Sequence, residues 1–313
     1  MAFKRVPQKF NASINKVVVG TGDKTITLGG ENVLPFYTFD APIENKPKVG
    51  IMISDTGLDK TLPGIAAFYG DAESLVDVAK KAVTAEGADF LAIQLASANP
   101  DEQDASPEDC AAACKAVADA VDMPIAVIGC GNRDKDAKVF DKVAEALSGK
   151  NVMILSAREE NYKNVVASAG LAYGQKIGAE SAVDINLAKQ LNTVITQMGF
   201  SGENVVMNVG TAAAGYGYEY VASTLDRITA AALGQNDTQL QMPIVTPVAT
   251  ETWNVKECIA TEEEAPDWGS REQRVIDMEV ITATADLAAG SNAVIVKHPA
   301  SVVVLSKLVN ELI

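Results

Sequence analysis

The sequence contains one histidine, His298, among 313 residues. A two- or three-histidine zinc site is thereby excluded. A Ser–His–Asp triad would have to run through that residue, and no Gly-x-Ser-x-Gly elbow is present to supply the serine. The four cysteines, Cys110, Cys114, Cys130 and Cys258, are too few and too scattered for a disulfide scaffold. They also lack the four-ligand spacing of an iron–sulfur site. Lys plus Arg number 26 against 41 Asp plus Glu, giving a net charge of −15. Nucleic acid needs a basic face and is not an expected partner. No apolar run approaches the ~18 residues of a membrane span. Met1-Ala2-Phe3-Lys4-Arg5-Val6-Pro7 has no signal-type apolar core. A soluble cytoplasmic protein is expected, in which the sequon-like Asn11-Ala12-Ser13 and Asn236-Asp237-Thr238 are coincidental.

What is present is ordinary globular composition, 48% hydrophobic and 21% charged. Residues 1–46 differ from the rest. Residues 14–20 and 25–28 flank a Gly/Asp turn, and the second arm alternates polar and apolar, which predicts a β-hairpin. Gly29-Gly30, Pro35, Pro42 and Pro47 then break regular structure. A hairpin of this size needs something to pack on, so the segment reads as an N-terminal extension.

From residue 47 to 313, short apolar runs alternate with amphipathic stretches. The runs are 49–54, 90–95, 125–129, 152–156, 205–209, 243–246 and 293–297, with a weaker one at 176–180. Between them, helices are expected over 72–85, 107–121, 136–147, 162–171, 186–198, 218–233, 271–289 and 301–312. Ser106-Pro107-Glu108-Asp109 is a helix start, with a serine cap, proline at the first position and acids in the first turn. Apolar strands buried on both faces are the mark of a parallel sheet. Eight β-then-α units predict a closed (β/α)8 TIM barrel; an open doubly wound sheet is the rival.

In a barrel, function gathers where the loops leave the C-terminal ends of the strands. The positions just past each run are Asp55 and Thr56; Ser97 and Asn99; Cys130, Gly131 and Asn132; Arg158, Glu159 and Asn161; Ser181 and Asp184; Asn208, Gly210 and Thr211; Thr246 and Pro247; Lys297, His298 and Pro299. Such a rim of amides, hydroxyls and small residues suits cradling a polar group better than acid–base chemistry. His298 reads as a hydrogen-bonded rim residue. Cys110 and Cys114, at i and i+4, share one helix face and read as small buried residues. The glycine-rich loop 210–217 lacks the Gly-Lys-Ser/Thr of a P-loop, leaving either anion contact or a plain tight turn. Lys297 is placed as a Schiff-base lysine would be. The stretch 250–269, long for such a connection, carries Glu262-Glu263-Glu264, Asp267, Trp253 and Trp268, and reads as a solvated face or a contact surface.

Several segments together resemble a known family. They are Ile51-Met52-Ile53-Ser54-Asp55, the run Ala182-Val183-Asp184-Ile185-Asn186-Leu187-Ala188-Lys189-Gln190-Leu191-Asn192, the loop Gly210-Thr211-Ala212-Ala213-Ala214-Gly215-Tyr216-Gly217-Tyr218-Glu219-Tyr220, and Glu251-Thr252-Trp253. The chain is similar to the small subunit of the corrinoid iron–sulfur protein of the acetyl-CoA (Wood–Ljungdahl) pathway, whose archaeal counterpart belongs to the acetyl-CoA decarbonylase/synthase complex. The resemblance spans nearly the whole chain. It implies a TIM barrel paired with a large subunit that holds a [4Fe–4S] cluster and a cobalamin domain. The heterodimer would carry a methyl group on cobalt from methyltetrahydrofolate, via its methyltransferase, to CO dehydrogenase/acetyl-CoA synthase. This chain has no Asp-x-His-x-x-Gly cobalamin motif, since Val296 stands where the motif has Asp and Pro299 follows the histidine. On that reading it is a non-catalytic cap with no metal ligand of its own. Asp55, Asn99, Asn132, Asn208, Thr211, Thr246 and His298 then face a corrin at the subunit interface. Two alternatives stay open: a stand-alone barrel enzyme of pterin-methyltransferase or aldolase type working through Asp55, Asn208 and Lys297, and a purely structural subunit.

Overall fold

The computed structural model describes residues 6–313, so Met1-Ala2-Phe3-Lys4-Arg5 lie outside the described residues. An antiparallel hairpin, β1 (Val17–Thr21) and β2 (Lys24–Leu28), comes first. Gly22 in its turn has φ +59°, a conformation that glycine adopts without steric cost. Eight parallel strands follow: β3 (Lys48–Ser54), β4 (Phe90–Gln94), β5 (Ile125–Ile128), β6 (Met153–Ala157), β7 (Lys176–Glu180), β8 (Val205–Asn208), β9 (Val245–Thr246) and β10 (Ala293–Val296). Their order is β8-β7-β6-β5-β4-β3-β10-β9. Met207 pairs in parallel with Ile244, and its N–H donates to Pro243 at 2.8 Å, joining the first strand of that order to the last. The fold is a (β/α)8 barrel, and the weak run at 176–180 is one of its strands.

The barrel has two apolar layers. Ile51, Ile53, Leu91, Ile93 and Val127 point outward and pack with Val78, Cys114, Val139, Leu191 and Leu305 of the helices. Met52, Phe90, Ala92, Ala126, Met153, Leu155, Val206 and Ile295 point inward. Space inside is tight: a Cβ on Gly50 would lie 2.5 Å from the Phe90 ring. Val17, Val19, Ile26 and Leu28 of the hairpin are buried in this same inner cluster. The hairpin therefore seals the end of the barrel opposite the strand-end loops. Asn151, just before β6, fastens it: its Nδ2 donates to the carbonyls of Val18 and Gly20 at 3.0 and 2.8 Å.

Several of the longer helices begin on side-chain caps. The Ser106 hydroxyl accepts the Asp109 N–H at 3.1 Å, ahead of the Pro107–Ala120 helix, as expected. Asp184 accepts the Asn186 N–H at 2.7 Å before Ile185–Gln197. A short Pro63–Tyr69 helix between β3 and Leu75–Ala82 was not expected from periodicity. No helix among the described residues is long and apolar enough to cross a membrane.

Candidate functional site

An open cleft of about 930 Å³ occupies the strand-end face of the barrel. Gln94, Glu180 and Asn208, the last residues of β4, β7 and β8, line it together with Ser156 of β6. Its walls come from Cys130, Gly131, Asp136, Arg158, Gly210, Thr211, Thr250, Glu251 and Asn254. A strand's final inward position points into the mouth because side chains alternate between the two faces of the sheet.

Most polar groups of the cleft are engaged with one another. Arg158 Nη2 meets Glu180 Oε1 at 2.7 Å, and Nη1 donates to the Gly131 carbonyl at 3.1 Å. Asn208 Nδ2 donates to Ser156 Oγ at 2.9 Å, while its Oδ1 accepts the Gly210 N–H at 3.1 Å. Asp136 accepts the N–H groups of Cys130 and Gly131 at 2.8 and 3.0 Å. Its carboxylate lies where a Cβ on Gly129 would fall, 2.4 Å away, so glycine is required there. Burial raises the pKa of Asp136. Glu251 is also raised, by partial burial and then by the charge of Glu180. Burial pushes the Cys130 thiol up to about 11, which keeps it protonated and unreactive at neutral pH. The side chains of Gln94 and Glu251 meet no hydrogen-bond partner among the described residues and face the cleft.

Of the seven residues expected on sequence grounds, Asn208 and Thr211 line the cleft. The other five are held elsewhere. Asp55 accepts the Ser97 N–H at 2.9 Å and the Ser97 hydroxyl, tying β3 to the loop after β4. Asn99 accepts the Asp101 N–H at 3.1 Å within its own turn. Asn132 caps the Arg133–Ala146 helix by accepting the Lys135 N–H at 3.1 Å. Thr246 is fully buried, 2.7 Å from Ser291 Oγ. His298 caps the Pro299–Leu312 helix: Nδ1 accepts the Ala300 N–H at 3.1 Å, which leaves the ring proton on Nε2, 3.2 Å from Glu272.

Lys297 also lies outside the cleft, its Nζ 4.5 Å from the centroid of the Trp253 ring, with its pKa lowered by burial. Cys110 and Cys114 are buried on one helix face, as expected. The 250–269 stretch divides its tryptophans. Trp253 is partly buried, whereas Trp268 is 45% exposed beneath Lys256 and Arg274. Among the described residues, no group of three or more His, Cys, Asp or Glu is placed to hold a metal ion.

Reading the positions just past each strand misses Gln94, Ser156 and Glu180, which lie within strands. The available signal was a polar residue ending an otherwise apolar run, as in Phe90-Leu91-Ala92-Ile93-Gln94.

Together, a polar strand-end cleft and a base plugged by the hairpin define a (β/α)8 barrel with one open mouth. The fold is shared with dihydropteroate synthases. That of Xanthomonas albilineans with 4-aminobenzoic acid superposes with a TM-score of 0.58 at 13% identity, covering 95% of this chain and 98% of that one. The Vibrio fischeri enzyme also gives 0.58, at 12% identity, covering 94% and 97%. At such identities the likeness concerns fold alone. The sequence is more specific: residues 16–309 match the CO dehydrogenase/acetyl-CoA synthase delta subunit family. The acetyl-CoA decarbonylase/synthase complex subunit delta of Archaeoglobus fulgidus is 32% identical over 99% of this chain and 71% of its own length. That of Methanopyrus kandleri is 36% identical over 91% and 70%. The chain belongs to this delta subunit family and is a subunit of an acetyl-CoA decarbonylase/synthase-type complex.

Proposed function

We propose that this subunit pairs with a large corrinoid iron–sulfur subunit and that its strand-end cleft covers the corrin held there. The cobalt of that group, when bound, carries the methyl unit delivered from methyltetrahydrofolate by its methyltransferase and passed to CO dehydrogenase/acetyl-CoA synthase. The observation that carries this reading is the state of the cleft's polar groups. Arg158 pairs with Glu180, Asn208 with Ser156, and Asp136 with the backbone of Cys130 and Gly131, while Gln94 and Glu251 remain open toward the space. Carboxamides, which fringe a corrin, both donate and accept, and so match a cleft lined by an open amide and an open carboxylate. The cleft offers no unpaired cation, which disfavours phosphate or carboxylate groups as the part recognised. Its contacts would be modest and separable, as suits a face that opens for two successive partners.

The test is the methylation rate of the reconstituted two-subunit complex, with its integrity checked by sizing. A neutral hydrogen bond contributes about 0.5–1.5 kcal/mol, so Gln94→Ala and Asn208→Ala should each slow transfer about two- to tenfold without separating the subunits. Asn99→Ala, whose side chain is bound within its own turn and does not line the cleft, serves as the control. Unchanged rates for both cleft variants would place the corrin elsewhere.

A further inference from the structure

A second cavity lies at the opposite end of the barrel, beneath the N-terminal arm. It spans about 560 Å³ including its mouth. Its walls are mainly apolar, with Ile14, Val33, Phe36, Leu240, Met242 and Leu287 among them. Glu31 is the one ionisable side chain lining it. Its Oε1 accepts Asn292 Nδ2 at 2.6 Å. Its Oε2 is buried and has no hydrogen-bond partner among the described residues.

Burial raises the pKa of Glu31, and a carboxylate removed from water is costly unless it takes up a proton or gains a counter-charge and donors. A single amide from Asn292 supplies neither a charge nor a donor to Oε2. The apolar walls would pack a hydrocarbon stem and reject a second anion. From this we infer that the cavity is a binding site for a primary alkylammonium on a short unbranched stem, the chemistry of a lysine side chain or of a free aliphatic amine. The stem lies along Leu240 and Met242, and the ammonium pairs with the Glu31 carboxylate. A lysine delivered by a partner suits a chain of net charge −15 that works as a complex subunit. The site is independent of the corrin reading, since none of its lining residues also lines the strand-end cleft.

The experiment titrates the full chain by calorimetry with n-butylammonium, 1-butanol and butyrate, which differ only in the head group. Butylammonium should bind at least about tenfold more tightly than 1-butanol, and butyrate should not bind. In Glu31→Gln, which keeps an acceptor for Asn292, the ammonium should lose that advantage. Equal affinities for amine and alcohol, or no amine binding, would overturn the inference, and the wild-type comparison decides this even if the variant fails to fold. Acylation of lysines in the purified complex identifies the source. A partner lysine that reacts in Glu31→Gln but not in wild type identifies a side-chain occupant; no such lysine, together with tight butylammonium binding, identifies a free amine.

Discussion

Trp253 donates its indole N–H to Glu279 at 2.7 Å, joining the loop after β9 to the Arg271–Ala289 helix through a carboxylate with no solvent exposure. The same carboxylate accepts the backbone N–H groups of Lys297 at 2.6 Å and His298 at 3.1 Å. One buried acid thus fixes the end of β10, a helix, and the segment that carries Thr250, Glu251 and Asn254 into the cleft. Glu279→Ala leaves three donors without an acceptor and should cost on the order of 3 kcal/mol or more. Urea denaturation monitored by tryptophan fluorescence measures it; a loss under about 1 kcal/mol would mean that these donors find other partners.

The hairpin should behave as part of the core. Leu28 is 1% exposed among inward-facing barrel residues. Leu28→Ala should destabilise the protein by about 2–5 kcal/mol. Thr25→Ala, on the exposed face of the same strand, should stay within about 0.5 kcal/mol of wild type. Equal small effects would show that the hairpin does not stabilise the barrel.

Asp286 gives a pH dependence of known sign. Burial raises its pKa to about 7, with the Thr211 hydroxyl, 2.9 Å away, only partly offsetting that cost. The unfolded chain has the ordinary value of about 3.9, so across roughly pH 4–7 the folded state holds the proton more tightly. Raising the pH through that window therefore removes stability, and above it the penalty is constant. Asp286→Asn should abolish this component, so the variant should gain in melting temperature relative to wild type on going from pH 5 to pH 8. A constant difference between the two proteins would refute the assignment.

The isolated chain should bind neither iron nor free cobalamin tightly. Its cysteines are dispersed, and His298 is committed to Ala300 and Glu272. Metal analysis should give well under one iron or cobalt per chain; stoichiometric metal would require a site formed by other residues.

Much of the fold is legible in the sequence because strand burial repeats locally. Eight apolar runs separated by amphipathic stretches state a parallel barrel, and even Lys176-Ile177-Gly178-Ala179-Glu180, flanked by charges, is a strand between β6 and β8. The candidate site is less legible for a definite reason. Each strand-end loop must also start a helix, and Asn, Asp, Ser and His placed there satisfy orphan backbone N–H groups. Asn132 and His298 have that employment, and composition alone does not separate a cap from a ligand contact.

The sequence by itself determined the eight strands and the main helices, which face of each is apolar, and that no histidine or cysteine cluster exists. These follow from periodicity and composition, which act over a few residues. Tertiary structure alone decided that Gln94, Ser156, Glu180 and Asn208 meet at one mouth, that Arg158 is spent on Glu180, and that Glu31 lines an apolar cavity with Oε2 unpaired. Those relationships join residues dozens to hundreds of positions apart. They depend on strand register and on which side chain reaches a shared partner, quantities that no local pattern encodes.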